Sequence, residues 1–167
     1  MSFEKTDIFN AGINPFKLIG KDWYLLTSGD EKGYNTMTAS WGQMGVLWGS
    51  PAFTCVVRPN RKTFEFMEKN DLFTVSFFSE KYRNVLSFCG SHSGRDCDKA
   101  KETGITPLFI DGTTAFEEAD MIFVCRKLYA QDLSEEHVKD GKIMKFYETD
   151  PFHKSFTGEI IGAYIKK

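Results

Sequence analysis

Asn35-Thr36-Met37-Thr38-Ala39-Ser40-Trp41 alternates hydroxyl side chains with amide, apolar and aromatic ones, the two-residue period of a β-strand. Thr36, Thr38 and Ser40 share one face; Asn35, Met37, Ala39 and Trp41 share the other. A row of hydroxyls beside small residues makes a poor core and a good bed for a flat, polar ligand. Taken alone, the row is the solvent face of an antiparallel strand, where threonine is common for its β-propensity. The flanking sequence shifts that balance.

Residues 23–28 read as a strand and 29–33 as a turn, so the quoted stretch returns antiparallel. Gly42, Gly45, Gly49 and Pro51 predict a loop carrying Val46, Leu47 and Trp48, and residues 52–58 a buried third strand. Asn60 is placed to cap a helix over 61–69, with Phe64 and Met67 on one face. A fourth strand follows over 72–78. Ser79 then caps a second helix, in which Tyr82, Val85, Leu86 and Cys89 recur at helical spacing. Asp96 opens a third helix that ends at Thr103, with Gly104 in the C′ position. Residues 121–129 form a strand long enough to curve around a barrel, and a closing strand covers about 156–165. Strands outnumber helices without regular alternation. The prediction is a mainly β, antiparallel barrel with short capping helices, not a doubly wound sheet.

The 167 residues suit one domain, 1–167, with a sizeable core. Sixteen Phe, six Tyr and three Trp point to a β-rich core, an oligomer interface or a site that stacks on flat ligands. A net charge of −2 gives no basic footprint for nucleic acid. No apolar stretch is long enough to span a membrane and no secretory signal opens the sequence, so a cytoplasmic protein is expected. Cys55, Cys89, Cys97 and Cys125 lack metal-ligand spacing and read as reduced thiols. No metal site is expected.

There is no dinucleotide glycine fingerprint and no phosphate loop. Gly90-Ser91-His92-Ser93-Gly94 has histidine where a nucleophile elbow needs serine, and a helix where it needs a strand. Two loops are candidates for holding an anion. Arg58-Pro59-Asn60-Arg61-Lys62-Thr63 joins a strand end to a helix start, where backbone N–H groups already favour negative charge. Ser91-His92-Ser93-Gly94-Arg95-Asp96 is a small polar loop whose amides can converge as a nest. Each alone is a solvated cap; two of them beside one hydroxyl strand favour phosphate binding.

The order N-T-M-T-A-S-W, V-R-P-x-R-x-T, S-F-F and C-G-S-x-S-G-R-D resembles the flavin reductase-like family, FMN-binding split barrels that include the flavoredoxins. The resemblance runs from about Trp23 to the closing strand. It implies a split β-barrel of Greek-key type, a homodimer with FMN near the subunit interface, and NAD(P)H or another donor reducing the flavin. It places Thr36, Met37, Thr38, Ala39, Ser40 and Trp41 along the ring and ribityl chain. Arg58, Arg61 and Thr63 would meet the ribityl and phosphate region, and Ser91, Ser93, Gly94, Arg95 and Asp96 the phosphate or ring edge. Phe77 and Phe78 would flank the ring, one of them facing the barrel interior.

No acid–base pair is required, because a flavin carries its own electron chemistry. Arg58 and Arg61 are the cations expected to stabilise an anionic reduced ring, with His153 a third, and His153 reads equally as an exposed loop residue. Electrons would pass to free flavin, a small molecule or a partner protein. The alternatives are a non-catalytic flavin-binding or sensing module, and an interaction domain whose aromatics serve only dimerisation.

Overall fold

The computed structural model describes residues 2–167. One antiparallel sheet organises them. In chain order its strands are β1 (Phe3–Lys5), β2 (Tyr24–Asp30), β3 (Gly33–Ala39), β4 (Gly42–Leu47), β5 (Ser50–Val57), β6 (Leu72–Phe77), β9 (Met121–Asp132) and β10 (Lys154–Lys166); a separate hairpin holds β7 (Pro107–Ile110) and β8 (Thr113–Phe116). The pairing order is β3-β2-β6-β9-β10-β5-β4, with β1 also on β10. The two ends of that order, β3 and β4, follow each other in the chain, yet no ladder joins them among the described residues. The barrel is therefore split at Ser40-Trp41.

Strand alternation makes two cores. Tyr24, Leu26, Met37, Phe53, Phe77, Phe123 and Phe156 point into the barrel. Leu25, Ile122 and Val124 point outward, against the helical residues Leu86 and Cys89 and the β7–β8 hairpin. The helices are α1 (Pro15–Lys17), α2 (Lys62–Lys69), α3 (Arg83–Ser91) and α4 (Lys99–Thr103). None is long and apolar enough to cross a membrane.

Several boundaries move, for local reasons. The expected loop after Trp41 is β4, hairpinned to β5 through Trp48 (φ 52°) and Gly49 (φ 76°). Consecutive positive φ values match the right-handed twist of a two-residue hairpin turn. Gly42 is no breaker either: a side chain there would meet the Thr54 carbonyl and the Tyr24 hydroxyl. Arg61, not Asn60, is the N-cap of α2, and it places no side-chain oxygen on the first turn. Ser79 opens a 3-10 turn (Glu80–Tyr82) ahead of α3, and its side chain makes no cap bond. Asp98, not Asp96, caps α4 by accepting from the Lys101 amide. Gly104 ends that helix in the left-handed region, as expected.

Candidate functional site

The site is built on the split. Tyr24, fully buried, donates its hydroxyl to the Trp41 carbonyl at 2.7 Å and pins the crossing from β3 to β4. Three cavities meet there. One of about 170 Å³ is lined by Met37 to Trp41 with Val56, Arg58, Arg61 and His153. A second, about 380 Å³, lies between Thr38–Ser40 and the Leu86, Ser87, Gly90 and Ser91 side of α3, with Trp23 at its wall. A third, about 580 Å³ and more apolar, adds Phe16, Ile19 and Met44 to Ser40 and Trp41. Ser40 lines all three.

The hydroxyl row is not one open surface. Thr36 is buried, sharing a hydrogen bond with Thr27 at 2.8 Å and donating to the Leu26 carbonyl. Thr38 donates to the Leu86 carbonyl of α3 at 2.5 Å, and Gly90 packs so closely on it that a Cβ there would stand 3.3 Å from the Thr38 Cβ. The strand face read as solvent-exposed or ligand-bearing is covered by α3. What remains open is the strip from Thr38 to Trp41.

The two loops also differ. Arg58 and Arg61 both line the 170 Å³ cavity, and Arg61 donates to the Gly90 carbonyl at 3.2 Å. Arg61 belongs to no ion pair among the described residues, whereas Arg58 lies 2.5 Å from Asp150. In the second loop the amides do not converge on open space. Those of Asp96 and Cys97 are spent on the Ser93 carbonyl, and that of Arg95 on the Ser93 hydroxyl. Arg95 itself binds Glu65 at 2.6 Å and the Asn60 carbonyl, tying this loop onto the first. Hydrogen bonds from Lys62 first and then from Arg95 hold the Glu65 carboxyl below its ordinary range. Gly94, Arg95 and Asp96 line a different cavity of about 480 Å³, beside Asn35 and Lys99.

Four more expected contacts lie deep. Met37 and Phe77 point into the barrel core, Phe78 sits in the outer core, and Thr63 is buried accepting from Asn35 Nδ2 at 2.7 Å. Ala39, Ser91 and Ser93 stay near the surface.

His153 is buried, not an exposed loop residue. Burial first, then the charges of Arg58 and Arg61, push its pKa down to about 4, so it is neutral near pH 7 and adds no cation. Arg58 Nε donates to its Nε2 at 3.3 Å, which leaves the proton on Nδ1, donating to the Tyr147 hydroxyl at 3.1 Å. Cys89 is a packed thiol raised to about 11 by burial, too high for a thiolate nucleophile.

Three features had no local signal in the sequence. Lys99, buried, donates to the Thr36 and Cys89 carbonyls and locks β3 to the end of α3. Trp23 holds φ 65°, an unusual value for a bulky residue, with the Arg83 guanidinium 4.2 Å from its ring centre. Phe146 and Tyr147 come from residues 133–152 to stand against Trp41 and His153. The described residues include no cluster of histidine, cysteine or acidic side chains fit for a metal ion.

Comparison with known proteins agrees with this architecture. The family model described as "Flavin reductase like domain" matches residues 17–167. No curated protein sequence matches. Among solved structures, the chain is similar to an FMN-binding protein from Thermus thermophilus with bound p-hydroxybenzaldehyde (19% identity, TM-score 0.69, 86% of this chain and 71% of that one). It is also similar to a flavoredoxin from Methanosarcina acetivorans (22%, 0.68, 98% and 76%). A third is nitrilotriacetate monooxygenase component B from Bacillus cereus (15%, 0.69, 96% and 74%). At these identities the structural likeness speaks for the fold.

Proposed function

Because the chain belongs to the flavin reductase-like domain family, we propose that it is an FMN-binding oxidoreductase, an NAD(P)H-dependent flavin reductase or a flavoredoxin-like electron carrier. The observation that carries this reading is the convergence of three cavities on Ser40 at the barrel split, with Arg61 beside it and unpaired among the described residues. The residues fit the cofactor: a flat strip of backbone, an apolar side, and a guanidinium at one end. Thr38, Ala39, Ser40 and Trp41 would lie along the ring. The phosphate would go to Arg61 and the first turn of α2, whose cap residue gives its N–H groups no side-chain oxygen. The second loop is the weaker seat, its amides already bonded to Ser93 and its Arg95 to Glu65.

When bound, FMN accepts and donates electrons, and the protein supplies position and electrostatics. Arg61 would stabilise negative charge at the ligand. Neutral His153, held by Arg58 and Tyr147, offers a fixed dipole and no extra charge. The third, more apolar cavity leaves room for a nicotinamide donor or an acceptor.

A homodimer belongs to the same proposal. β4 is an end strand of the split sheet, and Val46 on it and Trp48 in the turn that follows it are each 63% exposed. An apolar free edge of that kind is an association surface. A cytoplasmic setting fits the free thiols.

The test is anaerobic mixing of FMN-loaded protein with NADH or NADPH while the visible flavin band is followed. Bleaching by either donor, with return of the band on adding an acceptor, is the expected result. A bound flavin that neither donor reduces would make the protein a binding or sensing module instead.

A further inference from the structure

Arg58 is ringed by the chain's own residues 133–152 and by His153. Its Nη1 stands 2.5 Å from Asp150 Oδ2, its Nη2 donates to the Phe146 carbonyl at 2.9 Å, and its Nε donates to His153 Nε2. The Tyr147 ring lies 5.8 Å from the guanidinium carbon. The 133–152 segment consists of 3-10 turns (Glu135–His137 and Gly141–Phe146) and irregular backbone, and most of its side chains are exposed. None of its residues belongs to either core. Its grip on the barrel comes through Arg58, through the edge of Phe146 on Trp41 (5.1 Å), and through Tyr147 on His153.

That grip is imperfect at its charged end. Nη1 is shut off from solvent, yet the Asp150 oxygen lies off its N–H directions, so it has no aligned hydrogen bond. The Asp150 carboxylate beside it is half-exposed. It also cancels one of the two guanidinium charges that line the cavity.

We propose that Asp150 is a specificity-determining residue: its carboxylate occupies the anion seat at Arg58, and a ligand's anionic group gains Arg58 only by displacing it. The proposal deepens the flavin reading and rests on it for the identity of the natural ligand. Its consequence is selectivity. With Asp150 in place the phosphate is met by Arg61 alone of the two guanidiniums, so the preference for FMN over riboflavin, which share a ring and differ in the phosphate, is held down. Without it, the phosphate feels both Arg58 and Arg61, and the phosphorylated ligand pulls ahead.

The experiment compares wild type, D150N and the double variant R58Q/D150N. FMN and riboflavin are titrated by flavin fluorescence quenching. Inorganic pyrophosphate is titrated by tryptophan fluorescence, since Trp41 borders the seat. Expected is a tightening of about tenfold for FMN and pyrophosphate in D150N, the worth of one charge-assisted contact, with riboflavin changed less than about twofold. The double variant should lose the gain. If D150N binds both anions no better than wild type, or tightens riboflavin as much as FMN, the proposal is overturned. If no variant binds either flavin but the pyrophosphate pattern holds, the anion seat stands and the flavin reading falls.

Discussion

His153 shows how one buried side chain couples the site to pH. The unfolded chain protonates it near its ordinary value of 6.5, the folded chain only near 4. The unfolded state therefore binds more protons between those values, and stability rises with pH across the window. The contribution is complete above about pH 6.5 and is lost as pH falls toward 4, about 2–3 kcal/mol in all. H153Q keeps an acceptor for Arg58 and cannot titrate. Denaturant unfolding of wild type and H153Q at pH 7 and pH 4 should show the wild type losing that much more stability; parallel losses would mean His153 is not held neutral. Ser40 gives the cleaner test of the ligand bed. Thr38 is wedged against Leu86 and Gly90, so enlarging it damages packing as well. S40L enters the three cavities that Ser40 lines. It should weaken FMN by more than about tenfold while shifting the unfolding midpoint little.

At the scale of elements, the loop 91–97 and strand β3 are fitted to each other through a glycine. A Cβ on Gly94 would fall within the van der Waals shell of Asn35 Oδ1, and Asn35 is held by Thr63 and the Thr36 carbonyl. G94A should cost about 1–3 kcal/mol of stability, read by thermal unfolding, because a short bonded side chain must yield. How much of each element was legible follows the range of its causes. Alternation over 35–41, the dense apolar run of β5 and the long β9 are local patterns, and they predict the strands that form. β4 was hidden because Gly42 and Gly45 resemble breakers, when Gly42 is needed for close approach to β5 and Tyr24. The β7 and β8 strands, four residues each, are too short to carry a period. Within the site, Arg58 and Arg61 were legible as cations between a strand and a helix. The partners that hold them were not: Gly90, Asp150 and His153 lie about 30 to 95 positions away and share no local pattern with them.

For the whole molecule, the split barrel leaves an edge to be managed. β3 and β4 cannot pair because the chain crosses between them at Ser40-Trp41, with Tyr24 fixing the Trp41 carbonyl. The same opening that makes the cavities leaves Val46 and Leu47 of β4, and Trp48 in the turn after it, exposed. The homodimer reading makes a direct prediction for Trp48, which stands at a positive φ that aspartate tolerates. W48D should shift the sedimentation coefficient from dimer to monomer without unfolding; an unchanged dimer would move the interface elsewhere.

If the strip from Thr38 to Trp41 at the barrel split is the bed of an FMN, as proposed, flavin binding depends on Ser40. Equilibrium titration of FMN into wild type and S40L, followed by quenching of flavin fluorescence, tests it most directly. Wild type should show saturable quenching at one FMN per chain, and S40L a loss of more than about tenfold in affinity at unchanged folded content. Absence of saturable quenching in the folded wild type, or equal affinity in the two proteins, would contradict it.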